Sequence, residues 1–316
     1  MTIITSKRHP VKFYAVIIIV FLFLSAFGTL FLIVSIDLLQ KDNPEFKNYF
    51  LPVFSMAFYL LAFSMVRAYY KNSPKISIDK HTITFGNERF YLKDVKEVIL
   101  TGKMPFRLFI RFPMEGTALI FNDGTERYFF DDLISNSWEI KSFLEQSVIN
   151  KTEYIPPIIE KVASNAIRFE QIETFKGNQI TSLRGIMLWG IIGFFAFLWI
   201  SNKRPAPTGF LIFFALFGTF WFLFNSWLMH FFCISKDYFI VKNHNFIWFT
   251  KIYRIKDIKE IVYETQSKQP NSLRIITNDF KGKLYPAGTL RDTTWLEMKS
   301  RLKKKGVNVR NECIPE

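Results

Sequence analysis

Phe13-Tyr-Ala-Val-Ile-Ile-Ile-Val-Phe-Leu-Phe-Leu-Ser-Ala-Phe-Gly-Thr-Leu-Phe-Leu-Ile-Val-Ser-Ile36 is a run of 24 residues without a charge, held between Lys12 and Asp37. A helix needs about 20 apolar residues to cross the roughly 30 Å hydrocarbon core of a bilayer, so the run predicts a membrane span. Lys7, Arg8 and Lys12 precede it as they would precede a signal peptide. Its apolar part is too long for one, and no small-x-small cleavage site follows before Asp37. Three more charge-free runs lie downstream: 19 residues over Asn48–Val66, 18 over Gly185–Asn202 and 31 over Pro205–Ser235. Four runs in two pairs, each pair joined by a short polar link, predict two transmembrane hairpins.

The 316 residues are 49% hydrophobic and 22% charged, which is too polar for a chain embedded throughout and too apolar for a disordered one. Two cysteines, Cys233 and Cys313, cannot make a disulfide framework or a four-ligand zinc site by themselves. Lys and Arg beside the spans set the orientation. Lys7, Arg8 and Lys12 precede the first span; Arg67, Lys71 and Lys75 follow the second; Lys176 and Arg184 lead into the third; Lys236 and Lys242 follow the fourth. The hairpin loops have only Lys41 with Lys47, and Lys203 with Arg204. Both termini and the middle of the chain are therefore expected in the cytoplasm, in a multi-pass protein of the inner (plasma) membrane.

Outward from the hairpins the chain repeats itself. Leu92-Lys-Asp-Val-Lys-Glu-Val-Ile99 matches Ile255-Lys-Asp-Ile-Lys-Glu-Ile-Val262, and Asn122-Asp123 matches Asn278-Asp279. Ser137-Trp138 and Thr294-Trp295 then open similar closing segments, with offsets near 157 to 163 residues throughout. Each polar half reads as short strands followed by one amphipathic helix. In the first half the strands are Ile76–Ile78, Thr82–Phe85, Arg89–Leu92, Val95–Leu100, Arg107–Phe112, Ala118–Phe121 and Arg127–Phe130, with turns at Gly86-Asn87, Gly116 and Asp123-Gly124. Asn136 with Glu139, and Thr294 with Glu297, have the spacing of capping boxes. Trp295, Met298 and Leu302 share a helix face. Six or seven strands and a helix suit a small barrel plugged by that helix, with Trp138 and Trp295 equivalent and buried.

A transmembrane hairpin leading into such a strand-rich segment, with its Ile255-Lys-Asp-Ile-Lys-Glu-Ile261 strand start, resembles the bacterial membrane proteins that carry a pleckstrin-homology-like domain. The resemblance covers nearly the whole chain as two hairpin-plus-domain units. It implies a bent antiparallel barrel with a C-terminal helix at one open end, and it implies no catalytic residues. The lipid-binding relatives use Lys and Arg in the first strand loop; Asp79-Lys80-His81 and Lys236-Asp237 offer too little to carry that site over. The expected organisation is a hairpin over 1–67, a PH-like domain over 68–150, a cytoplasmic linker over 151–183, a hairpin over 184–233 and a basic PH-like domain over 234–316.

No Gly-rich phosphate loop, H-E-x-x-H, C-x-x-C or G-x-S-x-G occurs. His9, His81, His230 and His244 are scattered without metal-ligand spacing. Asp131-Asp132 before a helix reads as capping, and Cys233 as a small hydrophobe at the end of the fourth span. Asn225 and Ser226 read as packing groups inside that span, and His230 as a solvated interface residue. No enzyme, cofactor or metal is expected.

Charge is the one pointer to a partner. Residues 68–150 balance 11 basic against 11 acidic side chains, whereas 234–316 have 17 against 9. Arg301, Lys303, Lys304 and Lys305 form a dense run in or just past the closing helix. Nucleic acid could take such a patch, but for a membrane protein the nearer polyanion is the anionic leaflet, at about 1 kcal/mol per basic residue near the surface. The run is also what an ordinary helix C-terminus carries to complement its dipole. The reading is a non-enzymatic scaffold that presents two domains to a protein partner; the alternative is an anionic-lipid-responsive module acting through the basic second domain.

Overall fold

The computed structural model describes residues 4–41, 45–108, 111–160, 162, 171–201, 208–265 and 269–315. The chain divides into two compact units, Met1–Pro156 and Pro157–Glu316. Among the described residues, four helical segments are long and apolar enough to cross a membrane: Pro10–Leu39, Phe46–Asn72, Leu183–Ser201 and Thr208–Trp227.

In the first unit, strand β1 (Ile4–Thr5) precedes the hairpin of α1 (Val16–Leu39) and α2 (Leu51–Asn72). Strands β2 (Ile76–Ile78), β3 (Thr82–Phe85) and β4 (Glu88–Tyr91) follow, then β5 (Val95–Ile99), β6 (Lys103–Arg107), β7 (Arg111–Phe121), β8 (Glu126–Phe130) and helix α3 (Ser137–Leu144). The order β1-β2-β3-β4 makes one antiparallel sheet; β7 is the centre of a second, pairing with β5, β6 and β8. Ile76, Ile83, Leu119, Phe129, Ile140 and Leu144 from both sheets and α3 form one core.

The second unit has β9 (Glu173–Phe175), then the hairpin of α4 (Leu183–Ser201) and α5 (Thr208–Trp227). After it come β10 (His230–Ile234), β11 (Tyr238–Asn243), β12 (Thr250–Arg254), β13 (Ile258–Glu264), β14 (Ser272–Thr277), β15 (Gly282–Pro286), α6 (Asp292–Lys304) and β16 (Asn308–Asn311). Its sheets run β12-β11-β10-β9 and β15-β14-β13-β16, the last pair parallel.

The two units share backbone detail. Each turns a corner between its sheets through one 3-10 turn, Leu92–Asp94 and Ile255–Asp257. Leu92 N–H donates to the His81 carbonyl and Ile255 N–H to the Asp237 carbonyl, at 2.8 and 2.9 Å. Asn122 N–H donates to the Asp94 carbonyl and Asn278 N–H to the Asp257 carbonyl, both at 2.9 Å. An irregularity in pairing follows each corner, between Val95 and Glu97 and between Ile258 and Glu260.

Several sequence expectations are corrected here. Among the described residues the strands form separate open sheets and no closed barrel, because the corner turns divert the chain from one sheet to the other. Arg107–Phe112 is not one strand but the junction of β6 and β7, and residues 109–110 lie outside the described ones. Gly116 is no turn; it sits inside β7, where a Cβ would run into the Phe129 carbonyl. The linker contains β9, a strand of the second unit's sheet, and its residues 161 and 163–170 lie outside the described ones. The fourth charge-free run is helix only to Trp227; from His230 it is strand.

Neither capping box forms. Asn136 Oδ1 accepts from Lys7 N–H at 2.7 Å, and its amide donates to the Thr5 carbonyl and the Glu139 carboxylate, both at 3.0 Å. Helix α6 starts two residues before Thr294, with Asp292 in its first turn, where a carboxylate meets the helix dipole favourably. Asp131 and Asp132 pair with lysines: Lys141, fully buried, at 2.6 Å and Lys12 at 2.5 Å.

Trp138 is only half-buried whereas Trp295 is fully buried. Six of the eight residues of α3 are buried, among them Ser137, Ile140 and Leu144 in one row; the buried residues of α6 are Trp295, Met298 and Leu302. The spacing is the same, so Ser137 stands where Trp295 does and Trp138 is rotated about 100° away.

Candidate functional site

Helix α6 is built to be charged on one side. Trp295, Met298 and Leu302 pack into the second unit's core beside Phe232, Tyr263 and Ile275. Its C-terminus is closed by Gly306, whose φ of 77° lies in the left-handed region that glycine tolerates. Gly306 N–H donates to the Lys303 carbonyl and Val307 N–H to the Leu302 carbonyl, the paired bonds of a Schellman cap. The carbonyl end of the helix is thus set among Arg301, Lys303, Lys304 and Lys305, which the dipole favours.

The four predicted basic residues do not face one way. Arg301 Nε meets the Glu173 carboxylate of β9 at 3.1 Å, and Lys305 Nζ donates to the Lys236 carbonyl at 3.1 Å. Lys303 and Lys304 point elsewhere and, with Leu296, Lys299 and Ser300, line a shallow surface depression. Lys299 was not singled out from the sequence; its i, i+4 relation to Lys303 is the signal that would have found it. Lys236 lies in the bend after β10, whose residues His230–Ile234 extend over roughly 13 Å at about 3.3 Å per residue.

Nearer the spans, each unit is joined to its hairpin by a different chemistry. In the first, Phe13 is fully buried and clusters with Met104, Phe106, Phe130 and Leu133, while Tyr69 packs its edge on Phe106 at 5.3 Å. The Arg8 guanidinium stands 4.9 Å from the Phe13 ring and 4.6 Å from the Tyr70 ring, and donates to the Ser73 carbonyl at 3.1 and 2.9 Å. In the second, amides and hydroxyls do the joining. Asn225 and Ser226, both buried, lie in the last turn of α5. Arg184 donates to Asn225 Oδ1 at 3.3 Å, and Asn225 Nδ2 to the Trp221 carbonyl at 2.9 Å. Asn243 Nδ2 donates to the Ser226 carbonyl at 2.8 Å, and Asn245 Nδ2 to Ser226 Oγ at 2.7 Å.

His230 is the clearest departure from expectation at this junction. It is fully buried in β10, among the rings of Trp227, Phe249 and Tyr285, with Nδ1 3.0 Å from the Pro286 carbonyl. Burial pushes its pKa down to about 4. His244 is pushed down to about 4 as well, by burial and then by Lys176, with Nε2 3.2 Å from Thr289 Oγ1. Cys233 is buried inside β10, where burial raises its thiol. Such groups are packing elements, held neutral. Among the described residues no group of three or more His, Cys, Asp or Glu is placed to hold a metal ion.

No protein-family model matches this chain, and no curated protein matches it.

Proposed function

We propose that the chain is a multi-pass inner-membrane protein whose two units arose by internal duplication and present pleckstrin-homology-like modules in the cytoplasm, as a non-enzymatic scaffold for a protein partner. The observation that carries this reading is the mount. Each hairpin is entered from one strand and left into the strand paired with it, β1 with β2 and β9 with β10. A module held by two adjacent strands and a packed junction is fixed in place beside its hairpin, which suits presentation better than recruitment. The recurring corner, with the same carbonyls used in both copies, supports the duplication. The depression along Lys299, Lys303 and Lys304 is the surface we assign to the partner, which by charge would be acidic.

A photoreactive amino acid replacing Lys303 or Lys304 tests this in native membranes. A discrete protein adduct, lost on Lys299→Glu with the other lysine also reversed, is the expected result; adducts to phospholipid alone would overturn it. Reporter fusions at Glu316 and near Asn150 should both behave as cytoplasmic, and a periplasmic signal at either overturns the orientation.

The lipid-responsive reading rests on the excess positive charge of the second unit. Attraction to the leaflet falls off within a Debye length, about 8 Å at physiological salt. Lys305 is tied to the Lys236 carbonyl and Arg301 to Glu173, which leaves that reading Lys303 and Lys304.

A further inference from the structure

The loop between β11 and β12 has no counterpart in the first unit. There, β3 and β4 are joined by a tight turn at Gly86-Asn87, with Gly86 at a φ of 61°. In the second unit the connection is His244-Asn-Phe-Ile-Trp-Phe249. The offset between copies shows the insertion, rising from 156 at His81 and Asp237 to 163 at Leu92 and Ile255.

Ile247 and Trp248 at its tip are 84% and 78% exposed. Two large apolar side chains side by side at one tip make a contiguous exposed apolar patch, the kind of surface that marks a contact site. The loop is nevertheless held firmly at its base. Asn243 Oδ1 accepts from the backbone N–H groups of Asn245 and Phe246, both at 3.0 Å. His244 N–H donates to the Met229 carbonyl at 3.1 Å, and Phe249 N–H to the Phe246 carbonyl at 2.8 Å. The Asn243 and Asn245 amides reach Ser226, and the Phe249 ring packs at 5.9 Å on Trp227, the last residue of α5.

Those contacts fix its depth. The loop is bonded to the final turn of a span, where hydrocarbon gives way to headgroups. Its tip has no charged residue, while Lys242 and Lys251 flank it on the paired strands. Trp and other amphipathic or apolar side chains collect at that level, with cations above them among the phosphates. Continuity with α5 therefore selects the bilayer as the occupant.

We propose that the Phe246–Phe249 loop is a membrane-interface anchor, with Ile247 and Trp248 inserted among the acyl-chain ends of the leaflet in which α5 terminates. The proposal rests on α5 spanning the membrane. It assigns lipid contact in the second unit to an apolar loop rather than to the basic end of α6.

The test uses the full chain in nanodiscs of phosphatidylcholine with phosphatidylglycerol, after Cys233→Ala and Cys313→Ser. Spin labels are placed singly through Ile247→Cys, Phe220→Cys within α5, and Lys303→Cys. Power saturation then compares apolar oxygen with a water-soluble nickel complex. Oxygen should relax the labels at 220 and 247 more than nickel does, and nickel should dominate at 303. A label at 247 dominated by nickel, with 220 still in hydrocarbon, overturns the anchor and leaves the span intact. A label at 247 shielded from both reagents means that protein covers the loop, which also overturns it. Nickel access at 220 would instead overturn the span on which the proposal stands.

Discussion

The first hairpin is the longer, with segments of 30 and 27 residues against 19 and 20 in the second, and the two are fastened differently. In the first, helices cross closely: Ser55 Oγ donates to the Gly28 carbonyl at 2.7 Å, Thr29 and Tyr59 share a 2.8 Å bond, and a Cβ on Gly28 would press on the Tyr59 ring. The cluster around Phe13 then joins hairpin to sheet by ring packing. In the second, the Trp221 indole reaches the Met187 carbonyl at 3.2 Å, and the junction is a set of side-chain amides around Ser226. What recurs between the units is backbone: a strand before the hairpin, a strand after it, and a corner. What differs is the side chains that hold those pieces. Two units that share a backbone plan keep the hydrogen bonds it demands while packing their side chains differently.

The sharpest way to break the comparison is at the closing helices. Trp295→Ala should destabilise the second unit by about 3–5 kcal/mol, since it empties a fully buried aromatic site. Trp138→Ala in the half-buried position should cost the first unit far less, about 1 kcal/mol. Unit-specific limited proteolysis of the full chain in detergent measures both, and equal losses would refute the one-residue shift between α3 and α6. At the junctions, Phe13→Ala should cost a similar 3–5 kcal/mol. Asn243→Ala, which strands the Ser226 carbonyl and two loop amides, should cost about 1–3 kcal/mol.

Acid distinguishes the units next. His230 takes its proton near pH 4 when folded and near the ordinary 6.5 when unfolded. The unfolded chain therefore binds more protons between those values, so stability is full above about pH 6.5 and falls as the pH drops toward 4. The loss approaches about 3 kcal/mol for this one group. His230→Gln should flatten the second unit's acid profile, measured by denaturant melts from pH 7 to 4; an unchanged slope would show that the histidine is hydrated. The smallest effect belongs to the Arg301–Glu173 pair. Both side chains are about half exposed, and Arg301→Ala should change stability by less than about 1 kcal/mol.

The four long apolar helices are legible because freedom from charge over 18 or more residues is a coarse signal that needs no knowledge of neighbours. The corner was legible as a repeated Lys-Asp-x-Lys-Glu, since its backbone bonds are made close by. The barrel was misread because pairing across a corner depends on residues far along the chain. Strands β1 and β9, of two and three residues, are too short to show alternation. Matching Trp138 to Trp295 by identity hid the helical face; the spacing of 137, 140 and 144 against 295, 298 and 302 would have revealed it. His230 was taken for an interface residue because a strand buried on both faces, His-Phe-Phe-Cys-Ile, looks like the end of a span. Of the basic patch, the charge could be read but not its division into two directions.

The placement of each hairpin between neighbouring strands also orders the protein's biogenesis. Ile4 leaves the ribosome long before its partner Ile78, and Phe175 well before Phe232. Alone, each early strand would have to close a long loop, whose entropy opposes pairing. Once the two helices have folded against each other, their ends lie side by side and most of that cost is gone. The sheet can then close on a strand that has been waiting. Completion of either sheet thereby depends on its own pair of helices having folded against each other, and a chain in which they have not is left displaying an unpaired strand edge.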